Sequence, residues 1–244
     1  MAGLLSRWQR KKRDIRCSAV VVAAGTASRM EGIEKILAPL GDRPVLARTL
    51  EVFQDCPQVE DVVVVTREDL LVEVSRLCRD FGLDKVTKVV VGGADRLRSV
   101  QAGLREVRPE AELIAVHDGA RPLLTGQILA ETIRRAGESG AAAPAIPITD
   151  TVKRTEGELA VETVDRASLC AVQTPQIFQS DLIRAAVQKA LEDGESPTDD
   201  CAAVERLGMK VVLTRGSREN IKITTPFDLL LGEAILEHRT GGAL

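Results

Sequence analysis

The sequence predicts an α/β protein with a mostly parallel central sheet and helices on both of its faces. Short runs of apolar, often β-branched residues recur at 19–22, 61–66, 86–91, 113–116 and 141–146. Strands so continuously apolar are the kind that a parallel sheet buries on both faces. Stretches with apolar residues at helical spacing separate them, and a strand, helix, strand order implies right-handed crossovers. Glycines and cations gather just after several of these runs, where an open parallel sheet binds its ligands.

Residues 1–16 carry Arg7, Arg10, Lys11, Lys12, Arg13 and Arg16 around Trp8, and the expectation is a basic, disordered and solvated tail. Residues 17–244 read as one domain. After the first strand, Pro44 suits the first turn of a helix that runs over 45–53. A strand at 61–66, a helix at 70–78 and a strand at 86–91 follow. Gly92-Gly93 ends that strand, and a helix over 95–107 leads to a fourth strand at 113–116. Thr125 is placed to cap a helix reaching about residue 136, before a fifth strand at 141–146.

Between 147 and 175 the pattern changes to charged alternation around a turn at Glu156-Gly157, which reads as a hairpin with two exposed faces. Such a hairpin has little core of its own. It is predicted to leave the domain as a protruding dimerisation arm, buried against a partner subunit. Beyond it, Ser180 caps a helix to about residue 191. Ser196-Pro197 opens another with Asp199 and Asp200 in its first turn, short strands lie at 210–213 and 221–223, and Thr225-Pro226 starts a last helix toward His238.

Composition narrows the function. The 244 residues are 44% hydrophobic and 28% charged, ordinary for a soluble globular protein with a sizeable core. No apolar run approaches the roughly 18 residues of a membrane span, and no signal-peptide core is seen, so the expectation is a cytoplasmic protein without membrane contact. A net charge of −3 and 2% aromatic residues with no tyrosine argue against nucleic-acid binding, which needs basic surface and stacking platforms. Five dispersed cysteines without C-x-x-C spacing and only two histidines favour reduced, buried thiols over disulfides or a zinc site.

The loop after the first strand is the strongest local signal. Ala23, Ala24 and Gly25 remove side-chain bulk where the strand ends, so that a flat or anionic ligand can approach the backbone. Arg29 and Lys35 then supply a donor fork and a mobile charge suited to a polyphosphate. The alternative is tight strand-to-helix packing beside two ordinary solvated cations. Neither G-x-x-x-x-G-K-[ST] nor G-x-G-x-x-G is present, since Gly25-Thr26-Ala27-Ser28 breaks the second after its first glycine. Gly93, Arg96 and Ser99 follow the third strand, and Asp118 ends the fourth, where one carboxylate suits Mg²⁺ on a polyphosphate or else a plain Asp-Gly turn.

Seven motifs in register carry a family resemblance: AAG with Arg29-Met30 and Lys35, GG-x-x-R-x-x-S-V at 92–100, VHDGARP at 116–122, TVDR at 163–166, QTPQIF at 173–178, TDD at 198–200 and NIKIT at 220–224. In order, over nearly all of the chain after residue 17, they resemble the 2-C-methyl-D-erythritol 4-phosphate cytidylyltransferases. The resemblance implies a Rossmann-like nucleotidyltransferase fold, Mg²⁺ or another divalent cation, and CTP and a sugar-alcohol phosphate as substrates. It also implies a homodimer joined through the 147–175 arm. Carried onto this chain, it puts Ala23, Ala24 and Gly25 along the nucleotide pocket, Arg29, Lys35 and Lys222 on the phosphates, and Gly93 and Ser99 at the cytosine. Asp118 is then expected by the ribose and the metal, with Arg166 and Thr174 reaching the sugar phosphate from the neighbouring subunit's arm.

The chain departs from the family pattern at Val22, usually proline, at Ala27, usually glycine, and at Glu34-Lys35-Ile36, usually Pro-Lys-Gln. It departs again at Ala94, often acidic, and at HDGARP in place of HDAARP. The loop is also one residue shorter between its two cations. Two rivals remain on sequence: a ribitol-5-phosphate cytidylyltransferase, which tends to carry valine where Ala120 stands and lacks TVDR, and a non-catalytic nucleotide-binding protein of the same fold.

Overall fold

The computed structural model describes residues 15–25 and 34–241. In chain order it forms β1 (Cys17–Val22), β2 (Pro39–Leu40), β3 (Arg43–Pro44), α1 (Val45–Asp55), β4 (Val59–Thr66), α2 (Leu71–Asp80), β5 (Val86–Val91) and α3 (Arg96–Glu106). There follow β6 (Leu113–Asp118), α4 (Gly126–Ser139), β7 (Ala141–Pro147), β8 (Val152–Glu156), β9 (Leu159–Val164), β10 (Cys170–Val172) and β11 (Gln176–Gln179). The chain continues as α5 (Ser180–Glu192), α6 (Asp200–Glu205), β12 (Val212–Arg215) and α7 (Pro226–Arg239).

The apolar strands form the parallel half of the main sheet, as their sequence predicts. β1 lies parallel to both β4 and β6, and β5 extends the sheet beyond β4. The spatial order β5-β4-β1-β6 therefore reverses direction between β1 and β6, and a crevice opens beyond their carboxyl ends at that switch point.

Alternation along the strands sorts the core into two layers. Ala19, Val21, Val62 and Val64 point into one, with Leu46, Leu50 and Phe53 of α1, Val74 and Leu77 of α2 and Leu129 and Ile133 of α4. Val20, Val63 and Val65 point into the other, with Val100 and Leu104 of α3, Ile183 and Val187 of α5 and Val204 of α6. A smaller cluster of Leu40, Val45, Leu123 and Ile223 packs α7 near the β2–β3 ribbon.

Several expectations need correction. β10 and β11 are absent from the sequence reading, yet β11 pairs antiparallel with both β6 and β7 and completes the sheet. β10 pairs back onto β7, so the chain has rejoined the sheet by residue 170 and the arm is shorter than 147–175. What leaves the sheet is the separate β8–β9 ribbon, turned at Gly157 with φ +58°, a conformation that glycine adopts without penalty.

The tail is also shorter than expected at its inner end. Arg16 pairs with Glu60 at 2.7 Å and Ile15 packs against the core, while residues 1–14 lie outside those described. Ser180 does not cap α5: its hydroxyl accepts from Arg184 Nε at 3.2 Å, and Gln179 occupies the cap position. Ser196-Pro197 opens no helix, because α6 starts at Asp200 with Asp199 as its cap. Residues 221–223 form no strand. Their backbone instead docks through Ile223 N–H on the Ala120 carbonyl, at 2.8 Å.

Gly103 shows how tightly the second layer is packed. A Cβ there would come within 2.4 Å of Val20 Cγ1 and 2.8 Å of Val65 Cγ2. Gly103→Ala gains about 1 kcal/mol of helix propensity, but overpacking a filled core costs roughly 1–3 kcal/mol. The expected outcome is a net loss of stability by denaturant unfolding; a gain would mean that α3 is free to move off the sheet.

Candidate active site

The crevice between β1 and β6 is a cleft of about 280 Å³. Ala23, Ala24 and Gly25 line it, together with Lys35, Gly93, Arg96, Ser99, Asp118 and Lys222, so nine of the twelve residues singled out from the sequence meet in one place. Arg29 lies outside the described residues. Arg166 stands in a short 3₁₀ turn over residues 166–168 at the root of the ribbon, where its guanidinium donates to the Thr149 carbonyl.

Thr174 is a correction. It is not on the arm but buried in its own subunit beside Asp118, and its hydroxyl accepts from the Asp118 amide at 3.2 Å.

The narrow floor has a packing origin. A Cβ on Gly92 would sit 2.7 Å from Ala24 Cβ and 2.8 Å from Ser99 Oγ, and one on Gly93 would sit 2.3 Å from Arg98 Cβ. The loops after β1 and β5 thus approach closely because both are built of small residues. Ser99 Oγ accepts from the Gly93 amide at 3.1 Å and donates to the Asp95 carbonyl at 2.8 Å, which fixes the second loop against α3. Asp95 in turn caps α3 by accepting from Arg98 N–H.

Asp118 is the electrostatic centre. Only 8% exposed, it accepts from Lys222 Nζ at 2.9 Å through Oδ2, which also lies 3.5 Å from Arg121 Nε, while Oδ1 stands 3.8 Å from Arg96 Nη2. Burial alone would push this carboxyl up. The cations Lys222, Arg96 and Arg121 outweigh it and hold Asp118 well below the usual carboxylate range.

Arg96 is itself forked onto Asp200, at 2.9 and 2.7 Å. Burial pushes the Asp200 carboxyl up against the pull of that guanidinium. Gln176 secures this support: its Oε1 accepts from the Asp200 and Cys201 amides at 2.9 and 3.0 Å, and its Nε2 donates to Asp199 at 2.7 Å.

Arg121, Gln176 and Asp200 are not among the site residues expected from the sequence, which gives Asp200 only a place in the first turn of a helix, although each falls inside a quoted motif. Their partners lie far away in the chain, so residue type alone could not reveal the pairing. Two departures from the family pattern also find a physical explanation. Glu34 pairs with Arg67 at the end of β4, at 2.7 Å, pinning the loop's end to the sheet; Ile36 is fully buried in the first core layer.

The model of the 2-C-methyl-D-erythritol 4-phosphate cytidylyltransferase family matches residues 17–238. The chain belongs to this family. It is 42% identical to the cytidylyltransferase of Halalkalibacterium halodurans over 223 residues, covering 91% of this chain and 97% of that one. It is 43% identical to that of Dehalococcoides mccartyi strain CBDB1 over 220 residues, with 90% and 95% covered.

Among solved structures, 4-diphosphocytidyl-2C-methyl-D-erythritol synthase from Anaerococcus prevotii superposes with a TM-score of 0.81 at 28% identity, covering 92% of this chain and 97% of that one. The Thermus thermophilus cytidylyltransferase gives a TM-score of 0.72 at 32% identity, with 89% and 98% covered. The mostly parallel α/β fold is thus the cytidylyltransferase fold.

Nucleotidyltransferases of this kind generally use a divalent cation. Among the described residues no group of three or more His, Cys, Asp or Glu side chains converges on a metal-sized site. Two carboxylates line the cleft: Asp118, with Oδ1 standing off from Arg96, and Asp95, which is engaged by the amide and guanidinium of Arg98. That donor set fits an ion carried in on the nucleotide's phosphates, which needs only one or two carboxylates, and does not fit an ion held by protein alone. No described helix is long and apolar enough to cross a membrane.

His117 gives the site a pH dependence. Complete burial holds its imidazole down to about 3, so it stays neutral in the native protein. The unfolded chain, with an ordinary histidine near 6.5, binds the extra proton first as pH falls. This contribution to stability is therefore full above about pH 6.5 and is lost on acidification toward 3, by at most about 1.4 kcal/mol per pH unit. Urea unfolding of the wild type and of His117→Asn between pH 7 and 4.5 should show the wild type losing its advantage as pH falls. Parallel curves would mean that His117 titrates normally.

Proposed function

We propose that this chain transfers the cytidylyl group of CTP to 2-C-methyl-D-erythritol 4-phosphate, giving 4-(cytidine 5'-diphospho)-2-C-methyl-D-erythritol and pyrophosphate. The observation that carries this reading is the gathering of Lys35, Arg96, Asp118 and Lys222 in one cleft at the sheet's switch point, in a member of this family. A phosphate oxygen of the acceptor attacks the α-phosphorus of CTP in line, and the bond to the pyrophosphate oxygen breaks. The attacking oxygen is already anionic at neutral pH, so no general base is needed. The work left to the protein is to bring two anions together and to stabilise charge on the α-phosphate and the leaving group.

Lys35 and Lys222, which both line the cleft, do this, and the family resemblance assigns Arg29 to the same phosphates. Ala23, Ala24 and Gly25 let the nucleotide lie against the backbone, and Gly93 and Ser99 take the cytosine. Asp118 orients the ribose side and would hold Mg²⁺, whose charge offsets that of the triphosphate. Arg96, fastened to Asp200, keeps Asp118 in place.

Homodimerisation supplies the acceptor side: Arg166, in the turn at the root of one subunit's ribbon, reaches the sugar phosphate bound by its partner. The exposure of Leu159 on the ribbon (72%) and of Phe227 on α7 (70%) supports a partner surface.

Pyrophosphate release with CTP and Mg²⁺ tests the reading directly, run with 2-C-methyl-D-erythritol 4-phosphate, with ribitol 5-phosphate and without acceptor. Release only with the first is expected; release only with ribitol 5-phosphate would overturn the acceptor. Lys222→Ala and Lys35→Ala should each lower kcat by about 10² or more, since a preorganised charge contact to a developing anion is worth roughly 3 kcal/mol. Near-normal turnover in either would remove that residue from the mechanism. Arg166→Ala should raise KM for the acceptor well above any change in KM for CTP, and equal changes would remove the arm from acceptor binding.

A further inference from the structure

His117 is the fully buried histidine beneath Asp118, and the transfer reaction gives it no task. Its ring packs on Phe53 with centroids 5.2 Å apart, and both of its nitrogens have partners. Nε2 lies 3.4 Å from the Arg121 carbonyl oxygen, and Nδ1 lies 3.0 Å from Thr174 Oγ1.

These contacts point to one arrangement of the protons. A carbonyl only accepts, so Nε2 carries the hydrogen and Nδ1 of the neutral ring is a bare lone pair. The Thr174 hydroxyl must then donate to Nδ1, which turns a lone pair of Oγ1 toward the Asp118 N–H that it meets at 3.2 Å. The other tautomer would make Thr174 Oγ1 accept from both Nδ1–H and the Asp118 amide, and would leave the Arg121 carbonyl facing a lone pair.

The same turn carries more than Asp118. Arg121 N–H closes it onto the Asp118 carbonyl at 3.1 Å, and Ala120 C=O accepts from the Ile223 amide at 2.8 Å. Arg121 Nη1 donates to the Asn220 carbonyl at 2.8 Å, and Asn220 Nδ2 donates to the Thr174 carbonyl at 3.0 Å. The segment bearing Lys222 is thus docked on the turn that His117 braces from below.

We propose that His117 is a positioning residue for the transfer reaction: its Nε2–H tautomer locks the Thr174 hydroxyl and the 118–121 turn, and so sets Asp118 against Lys222. This rests on the reading that Asp118 and Lys222 act in cytidylyl transfer. His117 touches no substrate and acts only through Thr174 and Arg121.

The tautomer can be read in the unaltered protein. With only His117 and His238 in the chain, ¹⁵N-histidine labelling should show for His117 a protonated Nε2 and a pyridine-like Nδ1; the reverse pattern would overturn the proposal. Variants test its consequence, each assayed well below its own melting temperature with CTP and 2-C-methyl-D-erythritol 4-phosphate. His117→Asn keeps an acceptor close to the Nδ1 position and should retain kcat within about threefold. His117→Gln keeps a donor for the Arg121 carbonyl but no acceptor for Thr174; it should lose tenfold or more in kcat, with KM for CTP changed less than threefold.

Thr174→Val should lose at least as much, and adding His117→Gln to it should cost nothing more, because the two residues act in series. Multiplying losses, or equal losses in the Asn and Gln variants, would make His117 a packing residue only. Lys222→Ala separates the two failures: if it leaves turnover intact, the reading of the site falls; if it abolishes turnover while His117→Gln does not, only the present proposal falls.

Discussion

The site depends on one buried carboxylate. Removing a charge from water is expensive unless it is compensated, and Asp118 is compensated by Lys222, Arg96 and Arg121, from three separate parts of the chain. That requirement draws α3, the 118–121 turn and the segment before α7 toward the end of β6. Arg96 brings Asp200 and the start of α6 with it. A cluster held in this way is pre-arranged for anions: its cations are already fixed, so a polyphosphate entering the cleft meets charges that need not reorganise.

A second constraint is the thinness of the floor. Glycine and alanine after β1, β5 and β6 are chosen by one another as much as by a ligand, since Gly92 lies on Ala24 and a Cβ on Gly119 would come 2.9 Å from Ala23 Cβ. The three strand ends can therefore converge closely enough to share one small cleft. The glycine in HDGARP belongs to this floor, and the Glu34–Arg67 pair replaces by electrostatics some of the stiffness a proline would give by covalent geometry.

Much of this was legible beforehand. The runs 19–22, 61–66 and 86–91 declare themselves because strands buried on both faces must be apolar at every position, and Thr125 declares α4 because its hydroxyl meets the orphan amide of Ile128. The reading failed where the deciding partner is remote. Gln176–Gln179 is a strand only because β6 and β7 leave a gap for it, and Ser180 lost its capping role to a contact with Arg184. Thr174 resembled an arm residue because it follows the ribbon in sequence, yet β10 has already returned the chain to the sheet.

The sequence by itself determined the parallel α/β core, the family and the loops that carry the cleft, because apolar periodicity and motif spacing are local and survive without coordinates. Only the tertiary structure decided which charges meet. Arg96 with Asp200, Asp118 with Lys222 and His117 with Thr174 are each separated by dozens of residues. Such pairings follow from strand order and helix packing, and an ion pair or hydrogen bond is set by distances of a few ångströms that no linear spacing contains.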